Sequence, residues 1–201
     1  MDQKIKNDQS IIQRFTSKGV FPHQFAFTLL IPLRNIFLSP QKLIERLELK
    51  SDSFVLEIGP GPGYFSRQIS KFLTNGKLVL ADIQQEMLDI AKRRILKKGL
   101  TNVDFYLCDG KTFDFPSESF DVVFMVTVIG EVENKKDYLL EIRRILKQNG
   151  VLSITELAGD PDKISIEELT ELVSQFGFTI KNKFGSPKNY TVNFYKIQLG
   201  H

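Results

Sequence analysis

The sequence predicts an α/β fold: a doubly wound, seven-stranded sheet, mostly parallel, with a C-terminal antiparallel strand pair. Three observations lead there. Short apolar runs alternate with helical periodicities from residue 54 to residue 176. The last two strand-like runs are joined by a link too short for a parallel crossover. The chain has 201 residues, 42% hydrophobic and 25% charged. That is one domain's worth of ordinary globular composition, enough to bury roughly two-thirds of the unfolded surface.

Residues 1–40 read as an N-terminal cap or lid, and residues 41–201 as the main domain. Phe21–Leu38 is rich in Phe, Leu and Ile, but Pro22, Pro32 and Arg34 break it too often for a membrane span. It packs on the domain as a cap, or touches a membrane or a greasy substrate. Ser39-Pro40 is a good helix start, and Leu43, Ile44 and Leu47 give Gln41–Leu49 helical spacing.

Strands are expected at Phe54–Ile58, Lys77–Ala81, Val103–Leu107, Phe120–Val126 and Val151–Glu156. Their continuous Val, Leu, Ile and Phe content suits strands buried on both faces. Helices are expected at Tyr64–Leu73, Glu86–Lys97, Lys135–Gln148 and Ser165–Phe176, which makes the crossovers right-handed. Phe178–Phe184 and Tyr190–Ile197, with only Gly185–Asn189 between them, form the antiparallel pair.

Composition excludes several classes. Cys108 has no partner for an internal disulfide, and with only His23 and His201 beside it a Cys or His metal site is not expected. A reducing, cytoplasmic setting is the natural reading, and the N-terminus shows no apolar core of a secretory signal. No repeat or low-complexity tract occurs. The net charge of +3 is unevenly placed. Residues 1–40 carry five Lys/Arg against two Asp, and residues 178–201 carry four Lys and no acid. Basic ends suit an anionic partner or membrane surface, and equally serve solubility.

The strongest chemical signal is Glu57-Ile58-Gly59-Pro60-Gly61-Pro62-Gly63, where a buried strand enters a loop with glycine at every second place, ahead of a helix. Such a loop allows close backbone approach, and the helix start offers free N–H groups. That geometry suits a carboxylate or phosphate on a nucleotide-like cofactor. Asp82 ends the next strand, 21 residues after Gly61, where it can accept two ribose hydroxyls. Asp109 ends the third strand in the same manner, beside the position of a base. The alternative is that both acids merely cap the helices next in the chain. A dinucleotide fingerprint fits poorly: one register puts Tyr64 where glycine is needed, the other Ser66. No Tyr-x-x-x-Lys pair and no Walker lysine occur.

These residues resemble class I S-adenosylmethionine-dependent methyltransferases, whose signature loop is E/D-x-G-x-G-x-G. The resemblance covers about residues 40–200. It continues through Ala81-Asp82-Ile83 with Glu86-Met87-Leu88, Cys108-Asp109-Gly110 with Phe115-Pro116, and Phe120-Asp121-Val122-Val123. Leu146–Leu152 is similar to the turn before strand five, with Asn149 in place of a glycine. It implies a Rossmann-like methyltransferase fold, S-adenosyl-L-methionine as cofactor, and no metal. The loop Gly59, Pro60, Gly61 and Gly63 would hold the methionine part, and Glu57 the loop and the amino group. Asp82 would take the ribose hydroxyls and Ile83 would pack on adenine. Asp109, with Gly110 beside it, would accept from the adenine amino group. Val126 and Thr127 would line the methyl-donor side.

Substrate choice is expected from the N-terminal segment and the loop after strand four. There Gly130 and Glu131 stand where related sequences often have two histidines, so a histidine base is absent from that place. Glu131 reads as a solvated helix-start acid, with a base or cation-binding role as the alternative. His23, in the aromatic stretch, is the other candidate catalytic group, against a packed or surface imidazole. Phe21, Phe25, Phe27, Leu29, Leu30 and Phe37 point to a small or lipophilic metabolite, or to a dimer or peripheral membrane contact.

No Asn/Asp-Pro-Pro-Tyr element comes after strand four, and the lysines of Phe178–Phe184 alternate as on an ordinary strand, so nucleic acid is not the expected partner. Lys92-Arg93-Arg94 and Arg143-Arg144 read as solvated helix faces. A monomer or homodimer that methylates a small molecule is the main reading. A cofactor-binding regulatory or partner protein without turnover is the alternative, and a nicotinamide oxidoreductase the third.

Overall fold

The computed structural model describes residues 38–197, so the cap expected over residues 1–40, with His23 and the Phe21–Phe37 side chains, lies almost wholly outside the described residues. Seven strands form one sheet in the order β3-β2-β1-β4-β5-β7-β6. They are β1 (Phe54–Ile58), β2 (Lys77–Asp82), β3 (Val103–Leu107), β4 (Phe120–Val126), β5 (Leu146–Glu156), β6 (Phe178–Ser186) and β7 (Asn189–Lys196). The first five run parallel. β7 pairs antiparallel with both β5 and β6, as the short connection requires.

Among the described residues five helices flank the sheet: α1 (Pro40–Leu47), α2 (Ser66–Phe72), α3 (Gln85–Leu96), α4 (Lys135–Ile145) and α5 (Ile166–Ser174). Successive strand residues point to opposite faces. Val55, Leu78, Leu80, Val122 and Phe124 pack with Leu43 and Leu47 of α1, Ile69 of α2 and Leu88, Ala91 and Ile95 of α3. Leu56, Ile58, Val123, Met125, Leu152 and Ile154 pack on the other face with Leu139, Ile142 and Ile145 of α4 and Leu169 and Val173 of α5. This is the expected doubly wound arrangement. Each fully buried Leu or Ile adds about 1.5–3 kcal/mol.

Local chemistry sets the ends. Ser39 caps α1 by accepting from Lys42 N–H at 3.2 Å, with Pro40 opening the helix. Ser165 and Glu168 form a reciprocal capping box on α5. One expected boundary is corrected. The helix expected to reach Gln148 ends at Ile145, and the chain turns directly into β5 at Leu146. Leu146 is fully buried and pairs with Phe120, so strand pairing wins over the helical spacing of that stretch.

The paired basic residues of α4 are also more than a solvated face. Arg143 donates to the carbonyls of Gly177 and Ile197. Arg144 donates to Phe113 and Phe115 carbonyls, both at 2.8 Å, and pairs with Glu141 at 2.9 Å. It thereby pins the segment that carries the chain from β3 across to β4. On β6, Lys181 and Lys183 are exposed while Phe178 is buried and Ile180 and Phe184 are half-buried, as the alternation predicts.

Candidate functional site

Five parallel strands place their carboxyl ends along one rim, and the ladder continues just past them. Gly59 N–H donates to Ala81 O at 2.8 Å, Cys108 N–H to Asp82 O at 3.0 Å and Thr127 N–H to Thr155 O at 2.8 Å. These bonds bring the ends of β1 to β5 into register. Strand order reverses between β1 and β4, which opens a crevice at their carboxyl ends, the usual ligand position in such sheets.

The glycine loop lies over that crevice. Gly59, Gly61 and Gly63 have φ of 63°, 53° and 75°. At Gly59 a side chain is excluded twice, by this left-handed backbone and by Val128, whose Cγ2 would lie 2.5 Å from an added Cβ. Gly63 N–H donates to Pro60 O at 3.1 Å, closing a turn before α2. The helix starts at Ser66, two residues later than its spacing suggests, and its cap position, Phe65, offers no side-chain acceptor.

Beneath the loop stands Glu57, only 3% exposed, with Oε2 lacking any hydrogen-bond partner. Burial pushes its carboxyl up to about 8, and nearby Asp82 adds to the rise. The Ser66 hydroxyl beside it favours the ionised form, but this does not offset the cost of burial. A buried acid with an idle oxygen is costly unless a donor arrives. A ligand ammonium is such a donor, so Glu57 fits the amino group of S-adenosylmethionine.

Asp82 is buried at the end of β2, and burial raises its carboxyl above the usual range. Backbone N–H groups of Gln84, at 3.0 Å, and of Gly61 in the glycine loop oppose that rise. The next residue, Ile83, leaves 46% of itself exposed, an apolar shelf beside the acid. The donor set and the shelf fit a ribose with its base.

Asp109 is exposed and engaged. Its Oδ1 accepts from Lys111 and Thr112 N–H, both at 2.8 Å, which holds the carboxyl below its usual value. Asp109 therefore holds a turn rather than capping a helix, since no helix lies between β3 and β4, and only Oδ2, 3.3 Å from Thr112 Oγ1, is loosely held. Gly110 turns beside it with φ of 75°.

At the end of β4, Val126 and Thr127 are half-buried next to the glycine loop. Thr127 has φ of 55°, a conformation that β-branched residues rarely adopt. Glu131 corrects the expectation of a helix-start acid. Helix α4 begins at Lys135 with Asn134 as its cap, and Glu131 sits in the turn before it, its N–H on Val128 O. The side chain keeps solvent contact. Partial desolvation, then Asp160, Asp162 and Asp82, nevertheless push its carboxyl up to about 7.

The sequence reading missed Glu156, the last residue of β5, which is 0% exposed. The rule that picked out Asp82, an acid closing a buried strand, also applies to it. A separate cleft of about 350 Å³, lined by Gln148, Asn149, Val151, Lys181, Tyr195 and Lys196, lies at the opposite edge of the sheet. Its lysines are tied to Glu48 and Glu118, and none of the rim residues reaches it.

Comparison with known proteins agrees with this geometry. Residues 49–188 match the family model of the methyltransferase domain. The chain is 34% identical over 122 residues to the ubiquinone/menaquinone biosynthesis C-methyltransferase UbiE of Ectopseudomonas mendocina, covering 59% of this chain and 48% of that protein. It is 31% identical over 139 residues to the protein of the same name from Pseudomonas paraeruginosa, covering 68% of this chain and 53% of that one. The chain thus spans about half the length of the curated relatives it matches. A SAM-dependent methyltransferase from Aquifex aeolicus shares the fold with a TM-score of 0.83 at 23% identity, covering 89% of this chain and all of that one. The chain belongs to the methyltransferase domain family.

Proposed function

We propose that this protein transfers a methyl group from S-adenosylmethionine to a small, lipophilic metabolite. The observation that carries this reading is the pairing of two buried acids, Glu57 and Asp82, at the carboxyl ends of adjacent strands under the glycine loop. Glu57 keeps an idle oxygen there. The cofactor supplies a sulfonium methyl already activated for in-line displacement. The chain's own residues have the simpler tasks of holding, aligning and excluding water.

Glu57 takes the amino group, the backbone of Gly59 to Gly63 lies against the methionine part, Asp82 takes the ribose and Ile83 covers the base. Asp109, through its loosely held Oδ2, would accept from the base amino group, with Gly110 beside it. Val126 and Thr127 form the wall on the donor side. Residues 1–40 serve as the lid, and His23 within them is a candidate to touch the acceptor.

Among the described residues no helix is long and apolar enough to cross a membrane. We place the protein in the cytoplasm as a monomer or homodimer that acts on a small molecule rather than nucleic acid. The relatives' role in ubiquinone and menaquinone biosynthesis supports a lipophilic acceptor.

The test is calorimetric titration with S-adenosylhomocysteine, run beside NAD and an Asp82→Ala variant. Micromolar binding that the substitution weakens by about tenfold, or about 1.4 kcal/mol, is expected, with no binding of NAD. A folded wild type that ignores S-adenosylhomocysteine would remove the reading.

A further inference from the structure

The loops after β4 and β5 meet beside the donor wall. A Cβ on Gly130 would lie 2.1 Å from the carbonyl of Asp162, so the turn carrying Glu131 is pressed against the segment carrying Asp160 and Asp162. Glu156 stands at the root of that segment. Val126 pairs with Thr155, and Thr127 N–H donates to Thr155 O, so Glu156 is the next residue after the Thr155 that anchors the donor wall.

Glu156 is 0% exposed, and neither of its carboxylate oxygens has a hydrogen-bond partner. The polar group lying against it is a second carboxylate, that of Asp160, and Glu131 adds to the negative field. Two carboxylates in contact are stable only with a shared proton or a cation between them.

The nearby ammonium groups are turned elsewhere. Lys135 Nζ donates to the carbonyls of Gly130 and Val132, at 3.2 and 2.7 Å. Lys163 Nζ donates to those of Pro187 and Lys188, at 2.5 and 2.9 Å. Among the described residues neither Glu131 nor Glu156 forms a salt bridge. Burial and like charge push the Glu156 carboxyl up to about 8, against a partial opposing pull from Lys163, and the Glu131 carboxyl up to about 7, so an arriving cation would favour the ionised form of both. No group of three or more His, Cys, Asp or Glu among the described residues is arranged to hold a metal ion. Val126, Val128 and Val132, on the same stretch of chain as Glu131, are half-buried apolar residues.

We infer that the acceptor carries a basic nitrogen on an apolar body, held as an ammonium by Glu156 and Glu131 at the carboxyl ends of β5 and β4. This inference rests on the methyl-transfer reading and names the substrate class of that same site.

The test uses three probes of one skeleton and different charge: phenethylamine, phenethyl alcohol and phenylacetate. Each is titrated calorimetrically into the full chain saturated with S-adenosylhomocysteine, near neutral pH. The amine should bind at least about tenfold more tightly than the alcohol, phenylacetate should not bind, and Glu156→Gln should bring the amine to within about threefold of the alcohol. Affinity for S-adenosylhomocysteine and a cooperative thermal transition report whether that variant folds. If it does not, Glu131→Gln on the accessible turn takes its place, with the same loss of preference expected. An amine that binds no better than the alcohol, one that fails to bind at millimolar concentration, or a preference that survives the substitution overturns the inference. If S-adenosylhomocysteine still binds in those cases, only the substrate class falls. If it does not bind the wild type at all, the cofactor reading falls first.

Discussion

Gly59 and Val128 meet across the crevice between β1 and β4, so close that a Cβ on Gly59 would lie 2.5 Å from Val128 Cγ2. The glycine loop after β1 and the turn after β4 are therefore packed against each other. Gly59→Ala adds a methyl to occupied space at φ of 63°. We expect it to lower stability by about 1–3 kcal/mol and to weaken S-adenosylhomocysteine binding. Adding Val128→Ala removes the clash and leaves the backbone strain, so the double variant should regain part of the stability. Chemical denaturation of the four proteins in this cycle gives the answer; strictly additive losses would show that the contact is not the cause.

Stability should fall as pH rises. Glu57 and Glu156, both near 8, and Glu131, near 7, stand above the unfolded carboxyl value of 4.5. The native state therefore keeps protons that the unfolded chain has already released. Their contribution is fully present below about pH 4.5 and is lost as pH climbs toward about 8, with a slope of up to about 1.4 kcal/mol per pH unit for each of the buried Glu57 and Glu156, and much less for the exposed, solvent-screened Glu131. Urea midpoints across that range should decline in the wild type. Glu57→Gln and Glu156→Gln should each flatten the curve, and an unchanged slope in both would contradict the burial argument.

Asp82 and Asp109 close neighbouring strands but should respond unequally. Asp82 is buried with its carboxyl facing the glycine loop, whereas the Asp109 carboxyl spends one oxygen on two backbone N–H groups. Asp82→Ala should reduce affinity for S-adenosylhomocysteine by about tenfold or more. Asp109→Ala should reduce it by less, and should also loosen the turn at Lys111 and Thr112. Asp109→Asn keeps an acceptor oxygen for that turn and should restore most of the stability. Calorimetry and thermal melting of the three variants separate binding from the holding of the turn.

Much of this rim was legible in the sequence, for a physical reason. β1 and β4 begin and end as expected because central strands covered on both faces are largely apolar, whereas β3, the edge strand with exposed Asp104 and Leu107, corrects the expectation of burial on both faces. The α4–β5 boundary was not legible, since Leu146 continues the apolar spacing of the helix and only its pairing with Phe120 turns it into strand. Arg143 and Arg144 looked like a solvated face because the carbonyls they serve lie 29 to 54 residues away. Glu156 was overlooked because a lone Glu ending a strand has no glycine loop beside it in sequence. Asp160 lies only four residues on, but Glu131 becomes a neighbour of Glu156 only after the sheet forms.

Thr127 holds backbone strain at the donor wall, with φ of 55° on a β-branched residue. Asn tolerates this region far better than Thr. Thr127→Asn should therefore raise stability by about 1 kcal/mol, read from urea midpoints. If the strained shape positions the acceptor, turnover with any accepted amine should fall while S-adenosylhomocysteine affinity changes little. A less stable variant would mean that the Thr127 side chain contributes more through packing than its backbone loses.

The junction at Ile145 and Leu146 has a mechanical consequence. Helix α4 passes into β5 with no intervening loop, so neither can fray at that end without pulling on the other. Amide hydrogens on both sides of the joint should exchange as one cooperative unit, anchored by Phe120 below and by the Arg144 contacts above. The opposite rim, where chain leaves β4 and β5 through longer turns, has no such coupling. Opening there to admit and release a ligand can proceed while the base of the sheet stays closed.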